Sequence, residues 1–109
     1  MARDGLGELE HQAMLALLHL GKGKAYTAPI AEELEKRTGR RTTVAAVYIV
    51  LRRLEEKGLV ESVLQDPGAE GGRDRRYFAV TELGLDRLRK ARDAYTALWD
   101  GLDSILARG

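Results

Sequence analysis

The stretch "GRRTTVAAVYIVLRRLEEKGLV" (residues 39–60) decides how this 109-residue chain folds. It begins as a basic turn, continues as an apolar segment and stops at a glycine, Gly58. Thr42 or Thr43 supplies the hydroxyl that caps a helix, and glycine commonly follows a helix end. The apolar residues recur at the i, i+3, i+7 and i+10 spacing of one helical face. The residues that we expect to face a core are Val44, Val47, Leu51 and Leu54.

Two further helices are expected before this stretch. Residues 8–20 are apolar nearly all round, which predicts a helix buried on more than one side. Thr27 is suited to cap the next helix, with Pro29 in its first turn, and Gly39 ends it. Only a few residues then separate this second helix from the third, which is typical of a helix-turn-helix.

A β-hairpin is expected after the third helix. "LVESVLQ" (59–65) and "RRYFAV" (75–80) are rich in strand-forming residues and are separated by a loop of proline and glycine. A phosphate-binding loop would need a helix after its glycines, and here a strand follows, so we interpret residues 67–74 as a hairpin tip. Because side chains alternate along a strand, Tyr77 and Phe78 must face opposite ways, and one of them closes the core.

The last segment is predicted to be a helix that Thr81 caps and that runs to about Leu106. Apolar residues repeat every seven positions along it, which predicts a face for a partner helix. The element order predicts a mainly α fold with a small β-hairpin (α+β). We divide it into a winged helix-turn-helix at residues 1–80 and a C-terminal dimerisation helix at residues 81–109.

The composition excludes several classes of protein. The chain has no cysteine, which excludes disulfides, thiolate zinc sites and cysteine nucleophiles. No apolar stretch is long enough to span a bilayer, and the first residues lack the pattern of a signal peptide. We therefore expect a cytoplasmic protein with no membrane partner.

The positive charge is concentrated in one segment. Residues 36–57 carry seven basic and two acidic side chains, a net charge of +5, although the whole chain has a net charge of only +1. Such a patch is typical of a protein that binds a phosphate backbone. A solvated basic face without a partner remains the alternative.

The third helix is the predicted DNA-reading element. Its first residues are small and can approach base edges, while Tyr48 and Arg52 share a face and can hold phosphates. The alternative is that Tyr48 packs at the helix edge and that the arginines pair with Glu55 and Glu56. The residues predicted to contact DNA are Arg40, Arg41, Thr42, Thr43, Ala45, Ala46, Tyr48, Ile49, Arg52 and Arg53 in the turn and helix, and Arg73 and Arg75 in the hairpin.

No enzyme site is predicted. His11 and His19 are eight residues apart, which is too far for a metal pair at i and i+4. Ser62 and Ser104 do not lie in the sequence pattern of a serine nucleophile. We therefore predict no catalytic residue, metal or cofactor.

Three stretches resemble the PadR family of bacterial transcription regulators: "LGELEHQAMLALL" (6–18), "TVAAVYIVLRRLEEKGLVES" (43–62) and "GGRDRRYFAVTELG" (71–84). The third is similar to the family pattern R-x-Y-x-x-T-x-x-G, which here falls on Arg76, Phe78, Thr81 and Gly84. Phe78 stands at the position of the pattern's tyrosine, beside Tyr77. The single short C-terminal helix is similar to the short-tailed branch of the family.

The resemblance implies a homodimer, usually a repressor, that binds an inverted-repeat operator and responds to a small aromatic or drug-like effector. The C-terminal helix would pack on the first helix of the second copy. Trp99 would either line an effector pocket or anchor the interface. A winged-helix module that binds protein without specific DNA binding remains the alternative function. The predicted interface residues are Leu9, Leu88, Ala91, Tyr95, Leu98, Trp99, Leu102, Ile105 and Leu106.

Overall fold

The computed structural model of the protein describes residues 6–65 and 75–107. These residues form a mainly helical fold with one antiparallel hairpin, so the predicted winged helix-turn-helix with a helix after it is confirmed. None of the described helices is long and apolar enough to cross a membrane. The elements are α1 (Glu8–Leu20), α2 (Thr27–Thr38), α3 (Val44–Glu56), β1 (Val60–Gln65), β2 (Arg75–Val80), α4 (Glu82–Trp99) and α5 (Asp103–Ala107).

The helix ends follow the residues that mark them in the sequence. Thr43 caps α3, because its Oγ1 accepts a hydrogen bond of 3.1 Å from the Ala46 N–H. Gly39 ends α2 in the left-handed conformation, with φ of +75°, and its N–H donates to the Glu35 carbonyl. At the start of α2 the capping position is Tyr26 and not Thr27, so the helix begins one residue earlier than predicted.

The core lies between α1, α2, α3 and the base of the hairpin. Phe78 is its largest fully buried side chain, while Tyr77 faces the other way and is half-buried. The Phe78 N–H donates a hydrogen bond of 2.8 Å to the Ala25 carbonyl, which joins β2 to the segment before α2. The other large residues with almost no exposed surface are Met14, Ile30, Val47, Leu51, Leu54, Leu59 and Val60.

The buried face of α3 differs from the prediction by one position. Val50 is buried, whereas Val44 has half of its surface exposed. Val44 is the first residue of α3, and it lies at the edge of the face that packs on α1 and α2. The prediction that Val44 faces the core was therefore wrong. Its side chain belongs to the exposed face of α3.

The C-terminal helix is interrupted, which corrects the prediction of one helix to Leu106. α4 ends at Trp99, Gly101 has φ of +82°, and α5 follows after a turn. The turn is closed by a hydrogen bond of 3.0 Å from the Leu102 N–H to the Trp99 carbonyl. Because a straight helix does not continue through this turn, the heptad spacing of Leu102 and Ile105 does not place them on one stripe with the α4 residues.

The start of α4 is fixed to the corner between α3 and β1. The Thr81 hydroxyl donates to the Gly58 carbonyl at 2.7 Å and accepts from the Gly84 N–H at 3.0 Å. The Thr81 N–H also donates to the Leu59 carbonyl at 3.1 Å. About two turns after Thr81, Leu88 is buried in the core of its own protomer. Little of its surface is left for a second copy, so the structure gives Leu88 a core position.

A buried carboxylate connects the start of α1 to the end of α3. Among the described residues, Glu10 is the one charged side chain that is buried. It accepts hydrogen bonds of 2.7 Å from Lys57 and 2.8 Å from the Gly7 N–H. Burial raises the pKa of the Glu10 carboxyl, but these hydrogen bonds and the charges of Lys57 and Arg53 outweigh burial, so its pKa lies below the ordinary value. The Glu10 carboxylate is therefore ionised at neutral pH.

We predict that Gly84→Ala destabilises the fold because α4 approaches the chain too closely for a side chain. An added Cβ would lie 2.2 Å from the Leu59 carbonyl oxygen and 2.7 Å from a Val80 methyl group. Since the oxygen belongs to the backbone, the start of α4 would have to move. The free energy of unfolding, measured by chemical denaturation, should fall by about 3 kcal/mol.

Gly39→Ala is the matched control, because a Cβ there meets nothing within 4 Å. Only its left-handed backbone is unfavourable for alanine, which costs about 1 kcal/mol. Equal losses from the two variants would contradict the importance of the close approach at Gly84.

Candidate nucleic-acid interface

The exposed face of α3 presents a short row of apolar and polar side chains. Val44, Tyr48 and Ile49 have 50%, 43% and 57% of their surface exposed, and Ala45 and Arg52 are exposed beside them. Tyr48 is thus not buried at a helix edge. Apolar groups of this size can contact a thymine methyl, and the tyrosine hydroxyl can donate to a phosphate. These side chains lie along one helix, and the major groove of DNA is wide enough to admit an α-helix.

A cleft of about 460 Å³ lies at the beginning of α3, between the start of α1 and the turn from α2. Ala46 lines it and is half-buried, as is Thr42. The Thr43 hydroxyl also lies there, but its oxygen already accepts the capping hydrogen bond from Ala46. Thr43 therefore has a structural role at the helix start in addition to its predicted DNA contact.

The two arginines of the turn are exposed and only loosely paired. The side chains of Arg40 and Arg41 are 79% and 91% exposed. Each lies 3.8 Å from a carboxylate oxygen, of Glu8 and of Glu35 respectively. Exposed pairs at this distance contribute little free energy, so a phosphate can displace the carboxylates.

Arg52 is held more firmly, in a network that joins α3 to the hairpin. Its Nη1 donates to a Glu55 carboxylate oxygen at 2.8 Å, and the other carboxylate oxygen accepts from the Ser62 hydroxyl at 2.5 Å. Arg76 in turn donates to the Ser62 hydroxyl at 2.9 Å. The alternative of a pair with Glu55 is therefore what the structure shows for Arg52. Arg53 is exposed on the next position of the helix.

The arginines of β2 point to opposite sides of the strand. Arg76 joins the network with Ser62, whereas Arg75 lies over the ring of Tyr26, with 4.4 Å from its guanidinium carbon to the ring centre. A hydrogen bond with Tyr77 and the nearby Tyr26 hold the pKa of Arg75 above its ordinary value. The predicted contact at Arg73 lies outside the described residues.

Tyr26 was not among the predicted site residues. It precedes α2, far along the chain from Arg75, and no local spacing connects the two. No signal in the sequence pointed to Tyr26, because the capping position was assigned to Thr27 and only the structure moves it to Tyr26.

A second surface, the C-terminal apolar face, consists of exposed side chains on α4, α5 and the turn between them. Leu98 is 70% exposed, and the others are 40–59% exposed. Leu15 and Leu18 on α1 are also exposed, although we expected α1 to be buried on more than one side. Leu9 and Ala91 are half-buried. The residues of the C-terminal apolar face are Tyr95, Leu98, Trp99, Leu102, Ile105 and Leu106.

Trp99 lines neither of the two clefts described for this chain. It is half exposed on the last turn of α4. The cleft at the beginning of α3 and a second cleft of about 200 Å³ between the end of α1 and β2 are lined by other residues. One turn before it, Tyr95 stacks on His11 of α1, with 6.4 Å between ring centres.

The comparison with protein families gives a match that spans most of the chain. Residues 14–90, from α1 to the middle of α4, match the model of the transcriptional regulator PadR-like family. The chain belongs to the PadR-like family. Members of this family are transcription regulators and not enzymes, which confirms the prediction that the chain has no catalytic function. No curated protein is significantly similar to it in sequence.

Solved structures of PadR-like proteins share the fold. A PadR family regulator from Eggerthella lenta DSM 2243 is 30% identical, over 86% of this chain and 80% of that one, with a TM-score of 0.67. A PadR family regulator from Clostridium difficile R20291 is 23% identical, over 92% and 99%, with a TM-score of 0.73. A PadR-like transcription factor from Bacteroides fragilis is 24% identical, over 89% and 88%, with a TM-score of 0.71.

Proposed function

We propose that this PadR-like regulator is a homodimeric repressor that binds an inverted-repeat operator through α3 of each protomer. The observation that carries the proposal is the exposed face of α3, where apolar side chains and a tyrosine hydroxyl lie beside loosely paired arginines. A protein that reads DNA needs both kinds of group, because phosphate contacts position it and contacts to base edges specify the sequence.

The geometry favours entry of α3 into the major groove from its first turn. Ala45 and Ile49 would contact base edges, Tyr48 would donate to a phosphate, and Arg40 and Arg41 would reach the backbone from the turn. The Glu55 network keeps Arg52 beside this row and holds the hairpin against α3. The hairpin would then follow the neighbouring backbone as a wing.

The C-terminal apolar face supports a dimer. Six large apolar side chains exposed together on α4, α5 and the turn between them are unusual on a protein that stays a monomer. A second copy would cover them by packing its own α1, where Leu15 and Leu18 are exposed. Residues 81–109 would then act as the dimerisation segment, and residues 1–80 as the DNA-binding segment.

Repression and its release are the remaining parts of the proposal. A dimer on an operator would exclude RNA polymerase from the promoter, and the protein would work in the cytoplasm, where bacterial DNA lies. Trp99 lies on the face that a second copy would cover. It would anchor the interface, as tryptophan commonly does, or line a site for an aromatic effector between the protomers.

A protein-binding wing is the second candidate function. It is favoured by Val63 and Leu64 on β1, which have 60% and 53% of their surface exposed. The salt dependence of the binding affinity separates the two candidate functions. Phosphate contacts release counterions, so DNA binding weakens as salt rises, whereas apolar contacts with a protein release none.

We predict that binding to DNA weakens steeply with salt and that Arg41 contributes one phosphate contact. The probe is a labelled duplex that the wild-type protein selects from a random library. In a plot of log affinity against log salt concentration, Arg41→Gln should reduce the steepness by about 1, with little change in sequence preference.

Lys90→Gln is the matched control, because it removes the same charge from an exposed residue of α4 that pairs with Asp86. An equal reduction in both variants would mean that only the net charge matters. Failure of the wild type to select or bind any duplex at low salt would contradict DNA binding itself.

We predict that Leu98→Glu converts the dimer into monomers. Leu98 is the most exposed large apolar residue of the C-terminal apolar face, and a carboxylate there would have to be buried without a partner. Sedimentation velocity should show the mass of one 12.1 kDa chain. The midpoint of thermal unfolding of the monomer should be independent of protein concentration.

Ala97→Glu provides the control, because Ala97 is exposed and lies about 100° from Leu98 and about 160° from Trp99 around the axis of α4. It should remain a dimer. A dimer that survives Leu98→Glu would contradict this interface.

A further inference from the structure

Two tyrosines from separate parts of the chain hold Arg75. Its guanidinium carbon lies over the Tyr26 ring, 4.4 Å from the ring centre, and its side chain forms a hydrogen bond with Tyr77. The two tyrosine rings meet edge to face, with 5.4 Å between their centres. Tyr26 belongs to the start of α2, whereas Arg75 and Tyr77 lie on one side of β2. These contacts among Tyr26, Arg75 and Tyr77 thus hold the Arg75 side chain of the hairpin against the helix-turn-helix.

Arg75 occupies a position from which it can reach beyond the protein surface. It is the first residue of β2 and pairs with Gln65, the last residue of β1, so these two stand nearest the hairpin tip among the described residues. Arg75 is exposed, and within residues 6–65 and 75–107 no carboxylate pairs with it. In this it differs from Arg40, Arg41 and Arg52, each of which has an acidic partner.

The contact with Tyr26 leaves the arginine able to bind an anion. The ring attracts the charge of the guanidinium without accepting a hydrogen bond from it, and the hydrogen bond with Tyr77 leaves others of the five N–H groups for an anion. A phosphate needs two of these N–H groups for a paired contact. Because the side chain is already ordered, it loses less conformational entropy when it binds.

We propose that Tyr26 is a positioning residue for DNA binding, whose ring holds the Arg75 guanidinium in the orientation that receives a backbone phosphate. The proposal rests on the proposed DNA-binding function and adds to it a residue outside α3 and the hairpin. Tyr26 acts through Arg75, so its effect should vanish when Arg75 is absent.

The test is a double-mutant cycle on affinity for the duplex selected by the wild-type protein. Tyr26→Leu removes the ring and should weaken binding by about threefold to tenfold, which is the entropic cost of ordering one long side chain. The steepness of the salt dependence should not change, because the charge of Arg75 can still reach the phosphate. In the Arg75→Ala background, whose salt dependence is less steep by about 1, Tyr26→Leu should have no further effect.

Conservative variants separate positioning from a general structural role. Tyr26→Phe keeps the ring and should bind like the wild type. Arg75→Lys keeps the charge but loses the planar group, so it should weaken binding like Tyr26→Leu while the salt dependence stays as steep. Thermal unfolding of each variant checks that the fold is intact.

Specific results would overturn the inference. Wild-type affinity in Tyr26→Leu would do so, as would an equal loss with and without Arg75, or a loss in Tyr26→Phe as large as in Tyr26→Leu. If the wild type binds its duplex with a steep salt dependence, these outcomes leave the proposed function standing. If the wild type binds no duplex, the proposed function fails and this inference fails with it.

Discussion

The close approach of Gly84 to the Leu59 carbonyl is the contact on which the rest of the structure depends. Thr81 bonds to the same corner, so the end of α3, the beginning of β1 and the start of α4 meet at one point. This fixes α3, the hairpin and α4 relative to one another. In a dimer, α4 would transmit that fixed geometry to the distance between the two α3 helices, and half-site spacing follows from that distance.

Some basic residues around α3 are held in hydrogen-bonded ion pairs, whereas others are only loosely paired. The basic segment has a net charge of +5, but Arg52 is bound to Glu55 and Lys57 to Glu10, while the arginines of the turn are loosely paired. The firmly held pairs stabilise the arrangement of elements. Under the proposed function, the loosely paired arginines of the turn would remain available to phosphates.

Much of the fold is predictable because its signals are local. Thr43, Gly39 and Thr81 mark helix ends, and the alternation of Tyr77 and Phe78 decides which one enters the core. The errors arose where a periodic pattern was extended too far. The heptad spacing was followed through Gly101, although a glycine there allows the turn that ends α4. The contacts of Tyr26 with Arg75 and of Glu55 with Ser62 join separate elements, so only the folded chain could reveal them.

The central claim is that two α3 helices, fixed by this corner and by the C-terminal apolar face, read two major grooves on one side of a duplex. Methylation interference at guanine N7, which lies in the major groove, tests it most directly on the duplex that the wild-type protein selects. We expect two symmetric patches of interference, whose centres are about one helical turn, or a whole multiple of it, apart. A single patch, or an absence of interference in the major groove, would contradict it.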